Sequence, residues 1–166
     1  MSLNGECSNK GFSLRVGEDT CLVGGAGSRR VTGLLEQSLD FANPPSTAAS
    51  PMEVMRWLTI DVIDQIRSIL KKGGVLTTKE GVDSFPNAFL VCMRSRLYEI
   101  QADFSVRCVL EKYAAIGSGA PGACGIFFAM DRLNIVVDPE TLVRAALAAS
   151  ESTTPSVRGP FTVIHS

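Results

Sequence analysis

The sequence predicts an α+β fold in which layers of helices cover antiparallel sheets, either an αββα sandwich or another α+β form. Three observations carry that expectation. The 166 residues amount to one domain, and 45% of them are hydrophobic, enough to build a core. Strand-like alternation comes in grouped blocks rather than singly between helices. Two pairs of helical segments separate those blocks, giving the order strand, strand, helix, helix, three or four strands, helix, helix, strand. No internal repeat is visible, and the whole chain reads as a single domain, with residues 1–9 as a tag, disordered segment or remnant.

The elements follow in order. Phe12, Leu14 and Val16 alternate with polar residues, Gly17-Glu18-Asp19 interrupts, and Thr20 to Gly25 resumes the apolar run, which predicts a hairpin. Ser28 can cap a helix of about 12 residues with Val31, Leu34, Leu35 and Leu39 on one face. Asn43-Pro44-Pro45-Ser46 stops it. Ser50-Pro51-Met52-Glu53 supplies an N-cap, a first-turn proline and a capping-box glutamate for a long helix. Its stripe is Met55, Leu58, Val62, Ile66 and Ile69, and Gly73-Gly74 ends it.

Polar residues from Thr77 to Asn87 predict a loop. Strands are expected over Ala88 to Met93, Arg96 to Gln101 and Tyr113 to Ile116, with Val106 to Leu110 as a fourth. Gly117 to Pro121 then opens a helix reaching Arg132, and Asp138-Pro139-Glu140 opens another. Pro160 to Ile164 predicts a final strand.

Composition narrows the chemistry. Sixteen basic and seventeen acidic residues give a net charge of -1, without the basic field that nucleic-acid or anionic-membrane binding uses. The single histidine, His165, lies beside the C-terminus and argues against Ser-His-Asp or Cys-His catalysis and against His-rich metal sites. Five dispersed cysteines without a C-x-x-C pair read as core thiols in a reducing compartment. With no signal-like N-terminus and no apolar run of about 20 residues, a cytoplasmic protein without cofactor or metal is expected.

Two glycine-rich turns precede helices, where unpaired N–H groups face an anion or a developing oxyanion. Gly24 to Ser28 fails the dinucleotide fingerprint because Arg30 stands at its third glycine position. Gly117 to Gly122 matches G-x-G-x-x-G in full, and Asp138, after a possible short strand Ile135 to Val137, stands where a ribose-binding acid would. Against dinucleotide binding, Asp138 precedes Pro139 and makes a better helix cap, and fewer than 30 residues follow it. Tight turns and close packing account for both glycine clusters as well.

Taken together, the Gly25-Ala26-Gly27 turn, the Tyr113 to Ala120 segment, Asp138 to Val143 and Val157 to Ile164 resemble proteasome β subunits and HslV. The likeness runs from about Lys10 onward, and Ala115 to Ala120 is its most specific part. It implies the N-terminal-nucleophile (Ntn) hydrolase fold, a four-layer αββα sandwich. It also implies threonine peptidase chemistry, in which the α-amine of an N-terminal threonine is the base and no histidine is needed. Carried over by position, Lys10 becomes the lysine that lowers the nucleophile's pKa, Gly27 the oxyanion donor, and Ser118 the serine supporting the amine. The family spacing from that lysine to the oxyanion glycine is a few residues shorter than Lys10 to Gly27.

In the family, two strands and the nucleophile precede the lysine, whereas nine residues do here. The chain is therefore expected to lack the first two strands, the threonine and an acid, and to be inactive as given, through truncation, a misplaced start or natural loss. Ser2 and Cys7 are the available substitute nucleophiles, and neither sits on a strand of its own. The aspartate that the family places before the last strand has no counterpart, Thr153-Thr154-Pro155 standing there. A non-catalytic assembly or regulatory subunit is the alternative. Homo-oligomers (a ring or a dimer) and an ATPase partner are implied by the same resemblance.

Overall fold

The structure, a computed structural model, describes residues 10–165; Ser2 and Cys7 lie outside them. The first hairpin forms as expected from β1 (Gly11–Val16) and β2 (Asp19–Gly27), with Gly17 at φ +63° in its turn. The alternation then decides which side chains are buried. Phe12, Val16, Cys21 and Val23 turn to one face, where burial pushes the Cys21 thiol up to about 12 and keeps it protonated. The described cysteines are all free thiols.

Helix α1 (Arg29–Ser38) follows. Ser28 does not cap it through its side chain. Instead its N–H donates to Asn87 Oδ1 at 3.0 Å while its carbonyl accepts from Asn87 Nδ2 at 3.1 Å. The buried amide thus fixes the backbone at the start of α1 without capping the N–H groups of its first turn. The capping box of α2 (Pro51–Trp57) forms as read, with Glu53 Oε2 accepting from Ser50 N–H at 2.7 Å.

The long helix is not uniform: a π turn (Leu58–Val62) separates α2 from α3 (Ile63–Lys72). The buried stripe explains why. Val54, Leu58, Val62, Ile66 and Leu70 recur at steps of four, and in an ideal α-helix each such step drifts by about 40°. A π turn, wider in residues per turn, takes back part of that drift and holds the stripe on the sheet.

Thr77 to Asn87, expected as a loop, contains a short hairpin of β3 (Thr77–Lys79) and β4 (Val82–Ser84). Glu80 and Gly81, both at positive φ, make its turn, so the Glu-Gly pair outweighs the absence of apolar alternation. Strands β5 (Asn87–Met93), β6 (Arg96–Ile100) and β7 (Val106–Cys108) complete an antiparallel sheet of order β1-β2-β5-β6-β7. Arg94 and Ser95 turn the β5–β6 hairpin at φ +52° and +58°. The Arg94 guanidinium spans out of that turn to Asp19 Oδ2 (2.7 Å) and to the carbonyls of Ser46 (2.7 Å) and Pro45 (2.9 Å).

Two expected strands are absent as strands. Tyr113 to Ile116 is irregular. Tyr113 packs its ring 5.0 Å from Phe127 rather than joining the sheet, and a short apolar run cannot by its pattern distinguish those outcomes. Pro160 to Ile164 runs unpaired, and the possible strand Ile135 to Val137 is likewise irregular. Between them lie α4 (Ala120–Arg132) and α5 (Pro139–Thr153), the latter capped by Asp138, whose carboxylate accepts from Thr141 N–H at 3.0 Å. Hydrogen bonding from the Thr141 side chain, and then from its N–H, holds the Asp138 carboxyl below its ordinary range.

The layers are then clear. Helices α1 to α3 cover one face of the five-stranded sheet and share a large apolar core with it. Helices α4 and α5 lie beyond the opposite face around a separate small core of Ala123, Phe127 and Ala146. The α+β class is as expected, and among the described residues a cleft stands between sheet and helix pair, where a sandwich of four layers holds its second sheet.

Candidate functional site

That cleft, about 800 Å³, brings together all three residues singled out by sequence: Lys10, Gly27 and Ser118 line it. Its floor is the uncovered sheet face, with Leu22, Gly24 and Ala26 of β2 and Leu90 of β5. Its roof is Phe127, Val143 and Leu147 of the helix pair. Lys10 precedes β1 and is held by its own carbonyl, which accepts from Gly25 N–H at 2.5 Å.

Gly27 ends β2 at φ +122°, and a Cβ there would stand 2.2 Å from the Pro86 carbonyl oxygen. The tight turn is thereby obligatory, and it leads into the first turn of α1, whose N–H groups have no intrahelical partners. Gly117, at φ +89°, lays the second glycine turn against the first: its Cβ position lies 3.0 Å from the Ala26 methyl. Ser118 therefore sits across the cleft rim with its Oγ 2.8 Å from Ser156 Oγ.

Several residues of the site escaped the sequence reading. Arg29 and Arg158 line the cleft beside Lys10, so its three charged lining residues are all cations. Arg158 lies within the Val157 to Ile164 motif, yet nothing in its spacing marked it as part of a site. Ser156 gave no signal at all, since only the fold carries it to Ser118, 38 residues away in sequence.

The dinucleotide reading is overturned. All strand pairs of the main sheet are antiparallel, so among the described residues no βαβ unit exists around Gly117 to Gly122. Asp138 is spent as a helix cap. Gly119 and Gly122 are glycines because α5 lies against them: their Cβ positions fall 2.9 Å from the Ser150 Cβ and 3.1 Å from the Ser150 Cα. Among the described residues no group of His, Cys, Asp and Glu could hold a metal, and no helix is long and apolar enough to cross a membrane.

No family model matches the sequence, and no curated protein does. Solved structures do. BPH from Thiobacillus denitrificans is similar at 22% identity with a TM-score of 0.68, over 92% of this chain and 75% of that one. The same protein in complex with epoxomicin gives 21% and 0.65, over 89% and 74%. HslV from Trypanosoma brucei gives 19% identity and a TM-score of 0.58, over 91% and 76%. At such identities the likeness is one of architecture. This chain has the HslV and proteasome-like Ntn-hydrolase fold.

Proposed function

We propose that this protein is a cytoplasmic, proteasome-like member of the threonine peptidase class, and that residues 10–165 provide the half of a peptidase site that supports a nucleophile without providing the nucleophile itself. The observation that carries this reading is the convergence of Lys10, Gly27 and Ser118, far apart in sequence, on one cleft. Each has a role that its position permits. The Lys10 ammonium favours the deprotonated form of a hydroxyl brought beside it. Gly27, with the free N–H groups that open α1, stabilises an oxyanion. Ser118, in contact with Ser156, orients the amine that takes the hydroxyl's proton. No histidine enters, in keeping with His165 lying at the chain end.

A second reading, a non-catalytic assembly subunit, is favoured by Leu110, Phe128, Leu133 and Val136, large apolar side chains left 54–94% exposed. Self-association through such a surface fits both readings, and a homo-oligomer is part of the proposal.

The test uses fluorogenic peptides, and epoxomicin because BPH has been solved with it. The purified chain is expected to give no turnover and no covalent epoxomicin adduct by mass spectrometry. A chimera carrying a threonine-led pair of strands, of the kind the family resemblance implies, ahead of Lys10 is expected to turn over peptide and to lose at least about 100-fold on Lys10→Ala, the scale of removing a directly acting group. A folded chimera with no turnover, or one indifferent to Lys10→Ala, overturns the site assignment.

A further inference from the structure

Gly27, the oxyanion donor of the proposed site, is of the residue type with the most backbone freedom. It stands at φ +122°, a conformation its own torsional preferences do little to enforce. An oxyanion donor lowers a barrier only when its N–H direction is set before the charge develops. The turn must therefore be held by something outside it.

Asn87 is placed to do so. It is the β5 residue opposite Gly27 at the end of the β2–β5 ladder, and it is buried. Its planar amide spends both ends on one residue, Ser28, 59 positions away. Oδ1 accepts from the Ser28 N–H at 3.0 Å, and Nδ2 donates to the Ser28 carbonyl at 3.1 Å. Because peptide groups are planar, the first bond fixes the Gly27–Ser28 peptide and the second fixes the next one. The ladder holds β2 as far as Gly27 on the other side, so rotation at Gly27 is restrained from both directions. Thr32, also buried, adds its N–H (3.3 Å) and hydroxyl (3.4 Å) to the Ser28 carbonyl. The Ser28 N–H, by contrast, has Asn87 as its one partner among the described residues.

This clamp does more than pack. A side chain that capped α1 would take one of the free N–H groups of its first turn. Asn87 is spent one residue earlier, and α1 has no side-chain cap. Asn87 also does not line the cleft, so any effect it has on a reaction there passes through the turn.

We propose that Asn87 is a positioning residue: its amide holds the Gly27–Ser28 turn in the arrangement from which Gly27 meets an oxyanion. The inference rests on the peptidase reading of that turn and adds to it a residue that no motif names.

The first measurement is hydrogen exchange on the full chain, followed by mass spectrometry over residues 24–32. Asn87→Ala is expected to speed exchange in this segment by about 10-fold or more, a local opening, with β6 and α3 unchanged. Thr32→Val is the control, since it removes a neighbouring buried hydroxyl and leaves both Asn87 bonds in place; it is expected to change exchange far less. Should Asn87→Ala not fold, Asn87→Asp replaces it. That variant keeps the shape and the acceptor for Ser28 N–H, loses the donor to the carbonyl, and puts its charge at the N-terminal end of α1, where a carboxylate is favourable.

The second measurement is peptide turnover by the threonine-led chimera. Asn87→Ala is expected to lower kcat by about 10-fold or more with KM unchanged, part of the roughly 100- to 1,000-fold that losing an oxyanion donor outright costs. Thr32→Val is expected to lower stability and leave kcat in place. Unchanged exchange over 24–32 in the Asn87 variant overturns the proposal. So does an unchanged kcat, a change in KM alone, or an equal fall in kcat for the Asn87 and Thr32 variants. A chimera without turnover while Asn87 is intact counts against the peptidase reading instead, and exchange on the full chain then decides by itself whether Asn87 holds the turn.

Discussion

Gly27 is glycine for two independent reasons, the positive φ and the Pro86 carbonyl, and both apply whatever the site does. Gly27→Ala is therefore expected to cost roughly 2–4 kcal/mol, combining backbone strain with overpacking, read as a lowered urea midpoint with the slope unchanged. Ser118→Ala, which loses one exposed hydroxyl contact, is expected to cost under about 1 kcal/mol. Equal costs for the two would show that the turn relaxes around a side chain. The contrast also says what was legible at this scale. A motif resemblance names the positions of Lys10, Gly27 and Ser118, and all three line the cleft. It does not name Arg29, Arg158 and Ser156, because their part in the site depends on which chain segments the fold brings face to face.

Elements whose signals are local emerged largely as read. The capping box at Ser50 and the Asp138 cap each depend on residues three positions apart, and the first hairpin joins two strands adjacent in sequence through a short turn. Failures fall where the partner is distant. Tyr113 to Ile116 found an aromatic neighbour in α4 instead of a strand, and Pro160 to Ile164 has strand character without a strand beside it. The π turn was also hidden, since a stripe at three- and four-residue steps fits a straight helix equally well. Its origin makes a prediction. Deleting Ile60, half-exposed within the π turn, restores α-helical spacing while keeping the following apolar residues on the same face. The variant is expected to fold with little loss of helical circular dichroism, whereas deleting Arg67 from regular α3 turns Leu70 off the core and costs about 2–5 kcal/mol, as losing a buried leucine does. Comparable loss in both would refute the register explanation.

At the scale of the molecule, the expected α+β class holds, with the larger core under α1 to α3 and a separate smaller one between α4 and α5 across the cleft. Composition alone could not reveal that division, because it counts apolar residues without saying how many cores they make. One side chain spans much of the larger half. Arg94 binds Asp19, Pro45 and Ser46, which lie 75, 49 and 48 residues away along the chain. Its consequence is kinetic. Contacts of such separation close late, after local hairpins and helices have formed, so the turn's left-handed arginine acts as a latch on a nearly finished fold. Arg94→Ala is expected to raise the unfolding rate by roughly 10-fold while leaving the folding rate nearly unchanged, measured by stopped-flow in urea. A variant that instead slows folding would place this arginine in the folding nucleus. In the native protein, resistance to transient opening at the Pro-rich loop then depends on a residue of the distant hairpin turn, and lifetime rather than affinity is what Arg94 sets.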